Sequence, residues 1–328
     1  MRKIDKKNKV CIYLDQFVVS NLVEETNELW KEIKNLLEIT YQKEVIYCPL
    51  SHQHIFETAK KELKNAIIHD EYFRKLSDGY LFKDELFLTT QLISSLVRKN
   101  NHTLKTFLED RSFKRMEDIY DYVNQVYNVF DESVTYQLSG QNELRKLLNN
   151  RIEKKSEKDM FNVIRKLETR NFIDRLEEYI LKKRIYIRPD NYGKHDFPHW
   201  IDQILYVLTN KHSFKEKELK LLLKELKENG FSRIPTFNIK FSLGAYLAIK
   251  SKQENTSDHI DIMRVTNGLL CSDIFFTDRK RKFEITELGL DKLYKTKVYC
   301  GTKDDLEEFK DYLSNLIRTY PFNGIDFV

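Results

Sequence analysis

Nine glycines scattered through 328 residues form no glycine-rich loop, which excludes a phosphate cradle of the P-loop or dinucleotide-binding kind. Cysteine is scarce as well. Cys11, Cys48, Cys271 and Cys300 are widely spaced and make no C-x-x-C pair, so neither a disulfide framework nor a structural zinc site is expected. Cys11, Cys48 and Cys300 sit in short apolar runs, where a thiol behaves as a small hydrophobe. No apolar stretch is long enough to span a bilayer. The basic start, Met1 to Lys9, leads into an apolar run cut by Asp15, so no signal peptide is expected and the cytosol (a cytoplasmic location) is the default. A dominant charge is missing too: 56 basic and 51 acidic residues leave only +5, so nucleic-acid binding has to be argued from local clusters. A D-x-D phosphatase motif is absent, because Gln16 and Phe17 follow Asp15. There is no internal repeat and no low-complexity linker.

What the chain does have is 41% hydrophobic and 33% charged residues, the balance of a globular protein with a heavily charged surface. Its length suits two cores of ordinary size or one core with a large insertion. The first element reads as a strand, Val10-Cys11-Ile12-Tyr13-Leu14, ending at Asp15. A helix is expected over about 24–43, with Leu29, Ile33, Leu36 and Leu37 on one face. Val45 to Cys48 reads as a second strand stopped by Pro49, and Ser51 is placed to cap a helix carrying His52, His54, Ile55 and Glu57. From about 66 to 230 the period is helical and convincing strands vanish. Met116, Ile119, Tyr120, Val123, Tyr127 and Phe130 make one stripe, and Leu219, Leu222, Leu223 and Leu226 another, closed by Gly230. These stripes read as packed helices; only Arg184–Pro189 has an extended look. Strand character then returns. Ser257-Asp258-His259-Ile260-Asp261 starts a helix, Ile274 to Thr277 is a strand ending at Asp278, and Lys297-Val298-Tyr299 precedes a final helix with Leu306, Phe309, Leu313 and Leu316.

Neither flank holds enough strands to be stable alone, since parallel strands are normally buried on both faces. The expected fold is therefore α/β, one parallel sheet flanked by helices and built from both chain ends, 8–65 and 235–328, with an all-α insertion over 66–234. Groups at the carboxyl ends of parallel strands converge on one crevice. That places Asp15 and Asp278 together, with Glu57 starting from the same edge and Asp258 and Asp261 expected in the first turn of a helix that also begins there. Asp273 precedes its strand, and four strand residues span roughly 13 Å, so it belongs to the opposite edge. Crowded carboxylates are unfavourable unless a divalent cation neutralises them, and an oxygen-only set favours Mg²⁺ or Mn²⁺ over zinc. Singly, each acid has a plainer reading as a cap, a turn residue or a solvated helix face. The signal lies in their agreement on one edge.

YLDQFVVSNL around Asp15, PLSHQHIFET around Glu57, SDHIDIMRV around Asp258 and Asp261, and CSDIFFTDRK around Asp278 resemble the acidic motifs of PIN-domain ribonucleases, in family order. The resemblance covers about 8–65 and 235–300. It implies a PIN-like α/β/α sandwich, Mg²⁺ or Mn²⁺, and endonucleolytic phosphodiester cleavage, usually of RNA, with single-stranded DNA as the other substrate. Two departures stand out: Gln16 and Phe17 follow Asp15 where the family often has small hydroxyl residues, and the insertion separates motifs that most members keep close. On this reading Asp15 and Asp278 bind the metal directly, and Glu57, Asp258 and Asp261 are ligands or hold water. Arg279, Lys280, Arg281 and Lys282, beside Asp278, would meet the phosphate; alone they read equally well as a solvated charge run. The spacing of Arg188 and His195 matches another ribonuclease class, but Pro189 and Gly193 make that segment a loop. The alternative function is a non-catalytic module, its acidic cluster a relic, binding RNA or a protein partner (a second copy of the chain included) through the helical insertion.

Overall fold

The computed structural model describes residues 9–110, 114–149, 156–183, 199–250 and 253–319. The segment Arg184–Pro189 and the pair Arg188 and His195 lie outside them. In chain order the elements are β1 (Val10–Leu14), α1 (Gln16–Glu24), α2 (Glu28–Gln42), β2 (Ile46–Tyr47), α3 (His52–Ala59), α4 (Leu63–Ser77), β3 (Tyr80–Phe82), α5 (Glu85–Arg98), α6 (Leu104–Phe107), β4 (Leu108–Asp110), α7 (Met116–Asn149) and α8 (Glu157–Lys182). Then come α9 (Trp200–Tyr206), which runs into a π-helical turn at Val207–Lys211, α10 (Glu216–Asn229), α11 (Pro235–Ile249), α12 (Thr256–Cys271), β5 (Ile274–Phe276), α13 (Arg279–Glu287), α14 (Leu290–Tyr294), β6 (Lys297–Tyr299) and α15 (Lys303–Thr319).

The four strands expected from the two chain ends form one parallel sheet in the order β2-β1-β5-β6. Its strands are apolar on both faces, as parallel strands covered by helices must be. Leu14 pairs with Phe276, and Phe276 with Tyr299, so β1 and β5 end level with each other at the centre. Phe276 packs against Phe309 of α15 and Trp30 of α2, with ring centroids 5.2 and 5.8 Å apart. Val18 and Leu22 of α1, and Ile33 and Leu37 of α2, complete this core. Each such side chain contributes about 1.5–3 kcal/mol by leaving water. Gly268 is needed where α12 lies on β5, because a Cβ there would stand 2.6 Å from the Phe275 ring.

The helix expected over about 24–43 is α2, which Asn27 caps by accepting from the Trp30 amide. Two features were not expected. A further helix, α1, starts directly after Asp15 and ends at Glu25 in the left-handed region at φ 48°. The stretch after 66 also contains strands. β3 and β4 pair antiparallel, Phe82 opposite Leu108, and Leu50 bonds to both Tyr80 and Phe82. At three residues each they are too short to show a period.

The chain divides into two compact units, Met1–Phe82 with Phe107–Asn124 and Asn267–Val328, and Lys83–Thr106 with Gln125–Thr266. The bounds differ from those read in the sequence for a packing reason. Tyr72, Phe73 and Leu76 of α4 enter the sheet core, whereas Ile234 and Phe237 enter the core of the helical unit. That second core is aromatic: Phe172, Phe231 and Phe237 meet at centroid distances of 4.7 to 6.1 Å. Beside it Arg175 donates to both carboxylate oxygens of buried Asp202. Leu219, Leu222 and Leu226 bury the face of α10, which Gly230 ends at φ 56°. No helix among the described residues is long and apolar enough to cross a membrane.

Candidate functional site

Asp15 follows β1 and caps α1; Asp278 follows β5 and caps α13. Each strand passes into its helix through one or two residues, so the carboxylate that closes the strand also opens the helix. The Asp15 amide donates to Phe276 O at 3.0 Å. Its Oδ1 accepts from the Gln16 amide at 2.6 Å and its Oδ2 from Thr277 Oγ1 at 3.2 Å. Asp278, next to Thr277, accepts from the Arg281 amide through Oδ1 at 2.9 Å. Asp15 is buried and Asp278 part-buried. Both charges sit at the positive ends of helices, which lowers the cost of holding two carboxylates on one edge. Asp273 lies at the other end of β5, exchanging hydrogen bonds with the Cys11 backbone, as expected.

Glu57 is carried on α3, whose position is set by two bonds to the β1 end. His54 Nε2 meets Leu14 O at 2.7 Å, and Thr58 Oγ1 donates to Gln16 Oε1 at 3.3 Å. The Ser51 amide donates to His54 Nδ1 at 3.1 Å, so Nε2 carries the proton and donates to Leu14. Burial pushes the His54 pKa down to about 3 against the partial support of the Leu14 carbonyl, and the ring is neutral. His54 is thus a strut that orients the helix bearing Glu57. A lone histidine in the sequence offers no sign of this role. Glu57 itself is part-buried.

Asp258 and Asp261 fall in the helical unit. Asp258 exchanges hydrogen bonds with Asn255: its amide donates to Asn255 Oδ1 at 2.9 Å and its Oδ2 accepts from the Asn255 amide at 3.2 Å. This reciprocal cap starts α12 at Thr256. Asp261 lies 3.4 Å from Arg264 Nη2.

The basic run after Asp278 divides. Arg279 and Lys280 are exposed. Arg281 is fully buried and paired with equally buried Glu284 at 2.6 Å, and Lys282 donates to both oxygens of Asp305 at 2.6 Å. The expectation that all four cations meet phosphate is corrected accordingly: Arg281 and Lys282 hold α13 in place.

Comparison with family models, curated proteins and solved structures finds no match. Function has to be argued from the edge itself. Asp15 and Asp278 suit a hard divalent cation by donor type, since both offer carboxylate oxygen. Among the described residues no three His, Cys, Asp or Glu side chains are grouped to hold a metal ion. Neither of two cavities, one in each unit, is lined by Asp15, Glu57 or Asp278.

Proposed function

We propose that the sheet unit is a PIN-like nuclease that hydrolyses phosphodiester bonds of RNA, or of single-stranded DNA, with Mg²⁺ or Mn²⁺. The observation that carries this reading is the register that ends β1 and β5 level, bringing Asp15 beside Thr277 with Asp278 next in the chain. Asp15 and Asp278 would hold the ion, and Glu57 on α3 would complete the set or orient water. The ion supplies a lowered water pKa and charge for the phosphoryl oxygen. Thr277 fixes one oxygen of Asp15, and the helix amides fix the other and that of Asp278, so the donors are held before any ligand arrives. Arg279 and Lys280, exposed on the first turn of α13, are the cations placed to meet a polyanion.

Among the described residues no third carboxylate is grouped with these two, which favours one other reading, a binding module without catalysis. Purified protein incubated with RNA and Mn²⁺, with and without EDTA, separates the two. Cleavage that EDTA abolishes is expected, with Asp15→Asn and Asp278→Asn each slower by roughly a hundredfold or more. RNA that is bound but left intact in Mn²⁺ would establish the binding module.

A further inference from the structure

We propose that the exposed face of α13 is a base-stacking platform, on which Phe283 receives a base of single-stranded RNA while Arg279 and Lys280 hold the phosphates beside it. Phe283 is 56% exposed, and it is the one exposed phenylalanine among the described residues. A lone apolar side chain on a surface is ordinary. The setting of this one is not. The role rests on the proposed function and narrows its substrate to unpaired RNA.

Helix α13 turns one face inward with Arg281, Glu284 and Ile285, all buried. At about 100° per residue, Phe283 falls almost opposite the middle of that buried stripe, where a surface helix normally carries a polar side chain. Arg279 and Lys280, both exposed, stand about 40° and 60° to either side of it, one turn nearer Asp278. Side chains on a helix lean towards its N-terminus, so the ring covers the turn that carries the two cations. That turn begins at Asp278, the cap of α13.

The charge of this surface agrees. From Arg279 to Lys295, through α13 and α14, the exposed charged residues are Arg279, Lys280, Lys292 and Lys295 against Glu287 alone. Glu287 ends α13, at the far end from Asp278. Cations without a ring would hold any polyanion by its phosphates, and a ring without cations would suit any apolar partner. The two together fit a strand whose bases are free, because a π-face takes any unpaired base while the flanking phosphates meet positive charge. In a duplex the bases are already stacked and paired, so Phe283 has nothing to receive. The arrangement therefore selects single-stranded RNA over duplex without selecting sequence.

Labelled single-stranded RNA and a duplex of the same sequence, titrated with the full chain in EDTA at constant ionic strength and followed by anisotropy, test this without any cleavage. The single strand should bind more tightly than the duplex. Phe283→Ala should weaken the single strand about fivefold or more, the lower end of what one stacked base contributes, and leave duplex binding and melting temperature unchanged. Phe283→Tyr, which keeps a ring, should bind like wild type, and Phe283→Leu, apolar without a π-face, should fall with the alanine variant. Leu63→Ala, at another exposed apolar residue of the sheet unit, should change nothing. Equal affinity for strand and duplex, or wild-type affinity in Phe283→Ala or Phe283→Leu, would overturn the platform. So would self-association in sedimentation that Phe283→Ala abolishes while RNA binding holds, which would give the face to a second copy of the chain. A ring-dependent preference for the single strand, without EDTA-sensitive cleavage in Mn²⁺, would support the platform and overturn only the nuclease reading.

Discussion

Arg281 is the bulkiest fully buried side chain among the described residues, and its partner Glu284 is equally sealed, at 0% exposure with 2.6 Å between charged atoms. Removing one member of such a pair leaves an uncompensated charge in the interior and costs about 3–5 kcal/mol; removing both can be neutral. Arg281→Met and Glu284→Met should therefore each destabilise the sheet unit by about that amount, while the double variant recovers most of it. The chain has two tryptophans, Trp30 in the sheet core and Trp200 packed against the helical core. In a Trp200→Phe background, urea unfolding followed by fluorescence reads the sheet unit through Trp30. The site should feel the loss as well, because Asp278 caps α13 by accepting from the Arg281 amide, whose place the buried pair holds. If both single variants cost less than about 1 kcal/mol, or if their costs add in the double, the buried pair does not fix α13 and the reasoning fails.

Other consequences are simpler. Replacing exposed Arg279 and Lys280 by alanine should leave melting unchanged, within about 0.5 kcal/mol. It should also lower the salt slope of RNA binding, measured by anisotropy, by about one for each phosphate that these two cations neutralise. His54 holds its pKa near 3 against an ordinary 6.5, so the unfolded chain takes up a proton that the native state refuses. Stability should be fully present above pH 6.5 and fall on acidification from 6.5 towards 3, at up to about 1.4 kcal/mol per pH unit from this group. A His54→Gln variant that lost stability just as steeply over that window, in urea titrations, would refute the assignment.

How far the fold is legible in the sequence depends on element length and on what lies between elements. The strands VCIYL and IFF show because each is an apolar run ended by a polar residue, and α2, α10 and α15 because their apolar stripes recur with helical period. Helix α1 is hidden because only Asp15 separates it from β1, so QFVVSNLVE reads as a continuation of the strand's apolar run. The boundary between the units lies inside α12, at Thr266 and Asn267, where an unbroken helix carries no compositional mark. Arg281 and Lys282 pass for surface residues because four consecutive cations look solvated. The i,i+3 spacing of Arg281 and Glu284 is the available clue, and it points inward only once Ile285 is known to be buried with them.

For Asp15 and Asp278 the plain reading and the functional one turn out to be compatible. Both are helix caps, and a cap is a good place to store a carboxylate for another purpose, since the helix end offsets part of its charge. This makes the choice of substitution decisive. Asparagine caps as well as aspartate, so Asp278→Asn keeps an acceptor for the Arg281 amide and should leave metal-free stability unchanged, while Asp278→Ala should lose about 1 kcal/mol. Only the charge separates Asp278→Asn from wild type. If the asparagine variant melts like wild type without metal and fails to gain the stabilisation that Mn²⁺ gives wild type, the carboxylate serves an ion. If wild type and variant respond to Mn²⁺ alike, Asp278 is a cap and nothing more, and the nuclease reading loses the residue on which its geometry turns.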